Sequence, residues 1–198
     1  MTRFRESVRS LLRERVLDAA RDLVGSGGWG GLRLAAIARA AGISRQTLYN
    51  EFGSKEAIGK ALVERELEGF LLGIQRELDA HRDDLRAAAA AGVGYTLRQA
   101  ADNPLIKAVL LAERGGEDDL LAYLTTRPEP VFDTAAAMLD AYAADAWPDA
   151  DAESRGLAVE AIVRLTVSHI IAPVAPPEES AQRIARITAR IAYPADGR

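Results

Sequence analysis

Apolar residues recur at three- and four-residue spacing along most of the chain, and this pattern restricts the fold more than any other feature. Near the start, Val8, Leu12, Val16 and Leu23 follow the spacing and predict one amphipathic helix over about 4–24. No run of alternating β-branched residues indicates a strand, and no Asn-Gly or Asp-Gly hairpin is indicated between such runs. We therefore predict an all-α protein of nine or ten helices.

Glycine, proline and capping residues divide the rest of the chain into further helices. These are predicted at about 34–40, 45–51, 54–79, 83–101, 104–114, 118–125, 128–146, 152–172 and 177–192. Asn103-Pro104 supplies a capping residue and a proline at the first helical position. Gly115-Gly116, Trp147-Pro148 and the proline-rich segment 173–179 are predicted breaks.

The glycine-rich segment GSGGWGG, residues 25–31, has two interpretations. A phosphate-binding loop is one, but no Lys-Ser or Lys-Thr pair follows it and no strand precedes it. The end of a helix followed by a flexible link is the other, with Trp29 as an apolar plug. The second interpretation is favoured.

Charge is distributed unevenly along the 198 residues. Residues 1–65 hold 12 basic and 7 acidic residues, a net charge of +5, whereas residues 66–198 hold 13 and 22, a net charge of −9. A basic segment joined to an acidic body is typical of a nucleic-acid-binding module attached to another domain. Chance clustering of solvated charges is the alternative, and charge alone does not separate the two.

The residue types of the chain give little indication of a catalytic site. The chain has no cysteine, which rules out a thiolate nucleophile or a cysteine-based zinc site, and its two histidines, His81 and His169, are far apart. No nucleophile elbow is present, and the acidic runs HRDDL and GEDDL indicate solvated helix starts. We therefore expect a protein that is not an enzyme and that needs no metal or cofactor.

The sequence also carries no indication of a membrane segment. Its first 16 residues are charged throughout, without the apolar core of a signal peptide, and the longest apolar stretches are too short to span a bilayer. A cytoplasmic protein is expected.

The segment AGISRQTLYNEF, residues 41–52, predicts a helix that uses little of its surface for a core. Gly42 supplies the positive φ of a sharp turn, and Ser44 is a good N-cap. At 100° per residue, Leu48 and Phe52 form a narrow apolar edge. The opposite arc carries Gln46, Tyr49 and Asn50, with Arg45 and Thr47 on its flanks. Such side chains suit base edges and phosphates in a major groove, as in a helix-turn-helix; a polar surface helix is the alternative.

The stretch LAAIARAAGISRQTLYNEFGSKEAI, residues 34–58, resembles the N-terminal signature of the tetracycline-repressor (TetR) family of bacterial transcriptional regulators. With the preceding helix, the resemblance covers about residues 8–60. It implies a helix-turn-helix DNA-binding domain over 1–53 and a ligand-binding and dimerisation domain over 54–198, whose linking helix covers about 54–79. It further implies a homodimer that places two recognition helices in adjacent grooves of an operator, usually as a repressor.

The resemblance also assigns roles to residues of this segment. The implied DNA-binding residues are Arg33, Ser44, Arg45, Gln46, Thr47, Tyr49, Asn50 and Lys55. Tyr49 and Lys55 would contact phosphates, the latter at a helix N-terminus, whereas Ser44 is mainly a cap. Arg33 replaces the usual threonine, so it can contact phosphate but cannot cap its helix. Glu51 can pair with Lys55 four residues on or accept from a cytosine amine, and the ion pair is favoured.

Two apolar helices near the C-terminus fit the dimerisation that the resemblance implies. Residues 157–173 are apolar on nearly all sides, and Ile184, Ile187 and Ile191 form one stripe. We predict a homodimer interface formed by the helices 152–172 and 177–192, each covering apolar surface of the other. Burial inside a single chain explains part of the same pattern.

An effector pocket is implied in the middle helices, although the sequence specifies it poorly. The candidate lining residues are Phe70, Tyr95, Leu105, Val109, Tyr123, Phe132, Met138, Tyr142, Arg164 and His169. Glu160 is placed to pair with Arg164, and His169 is either a satisfied core histidine or an anchor for a ligand head group. The apolar excess predicts a hydrophobic effector.

Two segments extend the resemblance to one group of regulators. SRQTLYNEF and the WP…VRLTVSH region are similar to regulators encoded beside alkane-oxidation genes in actinobacteria, which would make the effector fatty-acid-like. Ligand binding would then shift the population away from the DNA-binding state. A ligand-independent or architectural DNA-binding protein is the alternative.

Overall fold

The computed structural model describes residues 2–103, 106 and 129–194, with side chains from residue 7 onward and from residue 133 in the last range. These residues form α1 (Thr2–Gly31), α2 (Leu34–Ala40), α3 (Arg45–Phe52), α4 (Lys55–Asp79), α5 (Leu85–Asp102), α6 (Glu129–Ala146), α7 (Ala152–Ile171) and α8 (Pro177–Ala192). They contain no strand, which confirms the all-α fold class. The helices predicted at 104–114 and 118–125 lie outside the described residues, apart from Ile106.

The helix boundaries agree with prediction to within two residues except in α1. This helix continues past residue 24 to Gly31 and is broken at Gly28, whose φ of 68° and ψ of 168° are not helical. The glycine-rich segment therefore forms a kinked helix end and not an open loop. Trp29 is half-buried there, as the plug interpretation predicts.

Backbone hydrogen bonds explain the sharp turn between α2 and α3. The Gly42 N–H donates to the Arg39 carbonyl at 3.2 Å, and the Ile43 N–H donates to the Ala38 carbonyl at 2.9 Å. Gly42 has a φ of 69°, as predicted, and these two bonds form the Schellman motif that ends many helices. The turn thereby fixes the position at which α3 begins.

Side-chain caps start several helices. The Ser44 hydroxyl accepts from the Thr47 N–H at 3.0 Å, and the Ser54 hydroxyl accepts from the Ala57 N–H at 3.1 Å. Arg33 makes no side-chain cap at α2, as expected, and its carbonyl instead accepts from Ala36 and Ile37. The Glu56 carboxylate lies in the first turn of α4, where a backbone N–H lowers its pKa.

The chain divides into two compact units, and the division falls within α4 after Leu67. We call them the N-terminal unit, described over residues 2–67, and the C-terminal unit, described over residues 68–103, 106 and 129–194. The functional boundary at residue 53 stays a prediction. Among the described residues, no helix combines the length and apolarity needed to cross a membrane.

The N-terminal unit has a small core of large aliphatic side chains. Its fully buried members include Val16, Ile37, Leu48, Ile58 and Leu62. On its surface, the Arg65 guanidinium on α4 bonds Asp18 at 2.8 Å and Glu14 at 3.1 Å, both on α1. The core and these ion pairs hold α3 between its neighbours.

The C-terminal unit packs α5, α7 and α8 through small residues. Ala89, Ala90 and Ala185 form one buried cluster, with Ile162 of α7 packed against it. A second buried cluster consists of Val93, Leu97, Ala100, Ile170, Ala181 and Ile184. Because alanine side chains are short, the helix axes approach closely, and the space between α5 and its neighbours is set by few atoms.

Candidate DNA interface and ligand cavity

Helix α3 presents a polar face that the core does not use. Leu48 is 1% exposed and anchors the helix, whereas Tyr49 is 62% exposed and Arg45, Gln46 and Asn50 are also exposed. The Gln46 amide donates to the Asn50 side-chain oxygen at 2.9 Å. Two amide side chains of the kind that read adenine therefore lie together on one exposed face.

The flanks of α3 are occupied by its cap. The hydroxyls of Ser44 and Thr47 lie 2.8 Å apart, and Thr47 is half-buried. Thr47 thus contributes to the start of the helix as well as to its surface.

Three arginines surround a groove between α2 and the start of α3. Arg33, Arg39 and Arg45 line this concave surface of about 470 Å³ together with Ala35, Ala36, Ala38 and Ile43. Within the described residues, none of the three has an ion pair or a side-chain hydrogen bond. Uncompensated guanidinium groups at a concave surface are typical of phosphate recognition. The sequence analysis did not include Arg39 among the DNA-binding residues. Its position near the C-terminal end of α2, next to the turn, could have indicated that it lies close to Arg45.

Glu51 does not form the predicted ion pair with Lys55. Its carboxylate instead accepts from the Arg9 Nε at 2.7 Å, and its backbone carbonyl accepts from Arg13 Nη1 at 3.2 Å. The Arg13 guanidinium also lies 4.4 Å from the Phe52 ring centroid. The prediction was wrong because the competing partner lies on α1, 42 residues earlier in the chain.

Lys55 has its own partner on the kinked end of α1. Its ammonium group donates to the Trp29 carbonyl at 2.8 Å and lies 4.8 Å from the centroid of the Trp29 ring. An ammonium group has three donors, so this contact leaves hydrogen-bonding capacity for a phosphate. The predicted phosphate contact of Lys55 stays a prediction.

The C-terminal unit contains two adjacent apolar cavities. The larger, about 90 Å³, lies among α4, α5, α6 and α7, and the smaller, about 50 Å³, also reaches α8. The residues common to both linings are Leu78, Ala89, Leu139 and Ile162. The two cavities are therefore neighbours that share one apolar wall.

The few polar groups of the larger cavity bond to their own helices. Thr96 donates to the Gly92 carbonyl at 2.9 Å, and Thr166 donates to the Ile162 carbonyl at 2.6 Å. Because their protons are used locally, these threonines present mainly methyl surface to the cavity. The cavity is therefore suited to an apolar molecule.

Tyr142 lies at the smaller cavity and packs edge-on against Trp147, with ring centroids 5.7 Å apart. Burial raises the pKa of its hydroxyl, and the nearby Asp79 carboxylate raises it further, while Arg82 lowers it. Neither neighbour meets the distance and angle of a hydrogen bond, so the buried hydroxyl has no partner among the described residues. This hydroxyl therefore keeps unused hydrogen-bonding capacity at the smaller cavity.

The other predicted pocket residues lie in different places. Phe70 lines the larger cavity and stacks on Tyr95 at 5.9 Å, which brings the two aromatic predictions together. Arg164 is exposed, pairs with Glu160 at 2.7 Å as predicted, and lines an open groove of about 940 Å³ along α6 and α7. His169 is half-buried, with Nδ1 2.8 Å from the Leu165 carbonyl, the arrangement of a satisfied histidine.

The remaining predicted pocket residues either line neither cavity or lie outside the described residues. Met138 is half-buried on α6 and lines neither cavity, whereas its neighbour Leu139 lines both. Leu105, Val109 and Tyr123 lie outside the described residues, as does the side chain of Phe132. Ala89 and Gly92 in α5 were missed, since small residues do not reveal whether they face packing or open space.

Tyr95 depends on a glycine in the facing helix. A Cβ atom placed on Gly73 would lie 2.0 Å from the Tyr95 hydroxyl oxygen. The ring can therefore occupy its position beside Phe70 only because α4 has no side chain there.

Comparison with known proteins matches both ends of the chain to one family. A family described as "Bacterial regulatory proteins, tetR family" matches residues 16–62, and one described as "Bacterial Tetracyclin repressor, C-terminal domain" matches residues 84–190. The HTH-type transcriptional regulator AlkX of Mycobacterium tuberculosis is 33% identical over 184 residues, covering 93% of this chain and 86% of that protein.

Solved structures agree with this match. The TetR family repressor AlkX from Dietzia sp., implicated in biodegradation of n-alkanes, is 30% identical, with a TM-score of 0.62 over 88% of this chain and 94% of that one. The regulator FadR from Bacillus subtilis, solved in complex with stearoyl-CoA, is 16% identical, with a TM-score of 0.58 over 88% and 96% of the two chains. At that identity the second likeness concerns the fold alone. The first bears out the predicted similarity to alkane-linked regulators.

Proposed function

This chain belongs to the tetR family of bacterial transcriptional regulators, and we propose that it is a repressor that a hydrophobic small molecule releases from a palindromic operator. The single observation that carries the DNA-binding part is the exposed polar face of α3 beside three arginines that have no ion-pair partner among the described residues. A face of Arg45, Gln46, Tyr49 and Asn50 stabilises no core, whereas it matches the donors and acceptors of a major groove.

Each side chain has a distinct role in this proposal. Gln46 and Asn50 read base edges as a hydrogen-bonded pair, and Tyr49 contacts the phosphate backbone. Arg33, Arg39 and Arg45 supply positive charge around the α2–α3 groove, where they neutralise phosphates and release condensed counterions.

The proposed protein acts as a homodimer through α7 and α8. Leu157 is 53% exposed, Ile171 38% and Ile187 43%, so these two helices leave large apolar side chains in solvent. A second copy related by a two-fold axis would cover them and set the spacing of the two α3 helices on DNA. Light scattering should give the mass of a dimer, and Ile187→Asp should give a monomer that binds a half-site weakly.

The proposed effector is a lipophile such as a fatty acid. Support comes from the two apolar cavities, whose threonine protons are used internally. The 30% identical AlkX repressor from Dietzia sp. points the same way, since it is implicated in biodegradation of n-alkanes. The molecule must bind the released state more tightly than the DNA-bound state, or no switching results.

Selection from a randomised duplex library tests the DNA-binding part. The native chain should enrich a palindrome, and affinity for it should fall steeply with salt. Gln46→Ala should relax preference at particular base pairs, whereas Tyr49→Phe should weaken binding to all sequences alike. Arg86→Gln, an exposed arginine of the C-terminal unit, is the matched control and should change neither. If Gln46→Ala lowers the affinity for the palindrome and for random DNA equally, Gln46 does not read a base.

Titration with fatty acids of different chain length tests the effector part. A bound fatty acid should raise the melting temperature and release the operator. Ala135→Phe, which fills the larger cavity, should abolish release and retain DNA binding, whereas Ala141→Phe at an exposed position of α6 should respond normally. A native chain that holds the operator at every fatty-acid concentration would favour the ligand-independent alternative.

A further inference from the structure

Helix α1 begins well before the part of the chain that matches the family. The tetR match starts at residue 16, whereas α1 starts at Thr2. We call residues 2–15 the N-terminal arm. The arm carries five arginines, Arg3, Arg5, Arg9, Arg13 and Arg15, against Glu6 and Glu14. It is therefore a basic helical extension of a unit that is proposed to bind DNA.

Three contacts fasten this arm to the last turn of α3. Arg9 pairs with the Glu51 carboxylate at 2.7 Å, and Arg13 donates to the Glu51 carbonyl at 3.2 Å. The Arg13 guanidinium also lies 4.4 Å from the centre of the Phe52 ring. The Arg9 side chain is 62% exposed but the Glu51 side chain only 21%, so solvent screens this ion pair from the side of the arm.

The arm runs antiparallel to α3 and continues past its C-terminal end. Arg9 contacts the end of α3, whereas Arg15 Nη2 lies 3.3 Å from the position of a Cβ on Gly42, in the turn before α3 begins. Thr2 precedes Arg9 by seven residues, so the arm extends about 10 Å beyond that contact at 1.5 Å per residue. Arg3 and Arg5 belong to this overhanging part.

The side chains of residues 7–11 are exposed, so this stretch of the arm does not serve the core. Val8 is 48% exposed, Leu11 66%, and the Arg9 side chain 62%. A basic helix held beside α3 would lie near the phosphates of the duplex whose bases α3 is proposed to read. Fixing the arm beforehand removes the ordering entropy that a free tail would lose on binding.

We propose that the N-terminal arm is a second DNA-contacting element, which binds phosphates flanking the base pairs that α3 reads. Glu51 is then a positioning residue: through Arg9 and Arg13 it holds the arm in register with α3. This inference rests on the proposed DNA binding by α3. The proposal also explains why α3 carries an acidic residue: the ion pair with Arg9 neutralises the charge of Glu51 before DNA binds.

Quantitative binding to the selected operator tests the arm. Arg3→Gln with Arg5→Gln should weaken binding about ten-fold and lower the salt slope by one to two units, since each lost phosphate contact accounts for about 0.9. Preferences at the base pairs read by Gln46 and Asn50 should stay unchanged. The matched control is Arg76→Gln with Arg86→Gln, two exposed arginines of the C-terminal unit, and it should leave both quantities unchanged.

The role of Glu51 is tested in combination with the arm. Because Glu51→Gln loosens the arm, the double arginine substitution should have a clearly smaller effect in that background than in the native chain. A purely structural ion pair would leave the two effects independent. Circular dichroism melting confirms that each variant is folded before binding is measured.

The outcomes separate this inference from the function on which it rests. If the arm variant binds like the control while Tyr49→Phe still weakens binding, the arm does not contact DNA and the proposed function stands. If Tyr49→Phe and the arm variant both bind like the native chain, DNA binding through α3 is itself wrong.

Discussion

Helices α3 and α8 both bury a narrow face, and they do so by opposite means. In α3 a single large side chain, Leu48, is fully buried, and most of the remaining surface is polar. In α8 the buried residues are mostly small, among them Ser180, Ala181 and Ala185, with Ile184 the one large exception. Helix α3 is anchored in a small core by one large side chain, whereas α8 packs against α5 and α7 through small side chains. A smaller residue at the anchor of α3 should therefore destabilise the protein, and so should a larger residue in the buried face of α8.

The largest effect is expected for the anchor of α3. Leu48→Ala removes a fully buried side chain from a small core and should lower the free energy of unfolding by about 2–5 kcal/mol. Chemical denaturation measures the loss, and DNA binding should fall for all sequences together. Leu48→Met, which nearly conserves the volume, should cost under about 1.5 kcal/mol. If the two substitutions lower the free energy of unfolding equally, the volume of Leu48 is not what anchors α3.

The converse change tests α8. Ala185 is fully buried between α5 and α7, so Ala185→Leu should force the helices apart and cost about 1–3 kcal/mol. Gln182→Leu adds similar bulk at an exposed position of the same helix and should stay within about 0.5 kcal/mol of the native chain. If Ala185→Leu is as mild as the control, the close helix packing is not what stabilises this unit.

A smaller effect is expected at the cap that starts α3. Ser44→Ala removes the acceptor of the Thr47 N–H and should cost about 1 kcal/mol. The change should also weaken operator binding, because the first turn of α3 then frays near Gln46. Ser168→Ala, at an exposed position within α7, serves as the comparison and should leave both melting and binding near native values.

The smallest effect concerns acid stability of the C-terminal unit. The Ser154 backbone N–H holds the pKa of the capping Asp151 below its ordinary value of 3.8. A lowered pKa means that the stabilisation is present above the unfolded value and is lost as the pH falls through the folded one. Asp151→Asn keeps a capping oxygen without a titrating group, so its melting temperature should fall less between pH 5 and pH 3, a range that brackets the ordinary value of 3.8. A parallel decline of the two proteins would show that the cap does not contribute to acid sensitivity.

Local signals made α3 and its surroundings predictable. Gly42 and Ser44 act on neighbours within a few residues of themselves, and both behave as predicted. Helical angles likewise placed Leu48 inside and Tyr49 outside, since those angles depend on backbone geometry alone. The helix ends around α5, α7 and α8 were predictable for the same reason.

Partners distant in the sequence were not predictable. Lys55 was expected to pair with Glu51 four residues earlier, yet it bonds Trp29, while Glu51 bonds Arg9. The four-residue spacing rule considers only partners within one helix, so it cannot predict that a residue of another helix forms the ion pair instead. The cavities present the same difficulty, because an alanine such as Ala89 that faces open space and one that faces a neighbouring helix look alike in a sequence.

By itself, the sequence determined the described helices from α2 onward, the Ser44 cap, the turn before α3, and the placement of Leu48 inside and Tyr49 outside on that helix. These depend on hydrogen bonds and periodicities that span four or five residues. Tertiary structure alone decided that Glu51 pairs with Arg9 of the N-terminal arm, that Arg39 joins Arg33 and Arg45 around one groove, and that Leu139 and Ile162 line two cavities. Those outcomes depend on how whole helices pack, which brings together residues that no local rule connects.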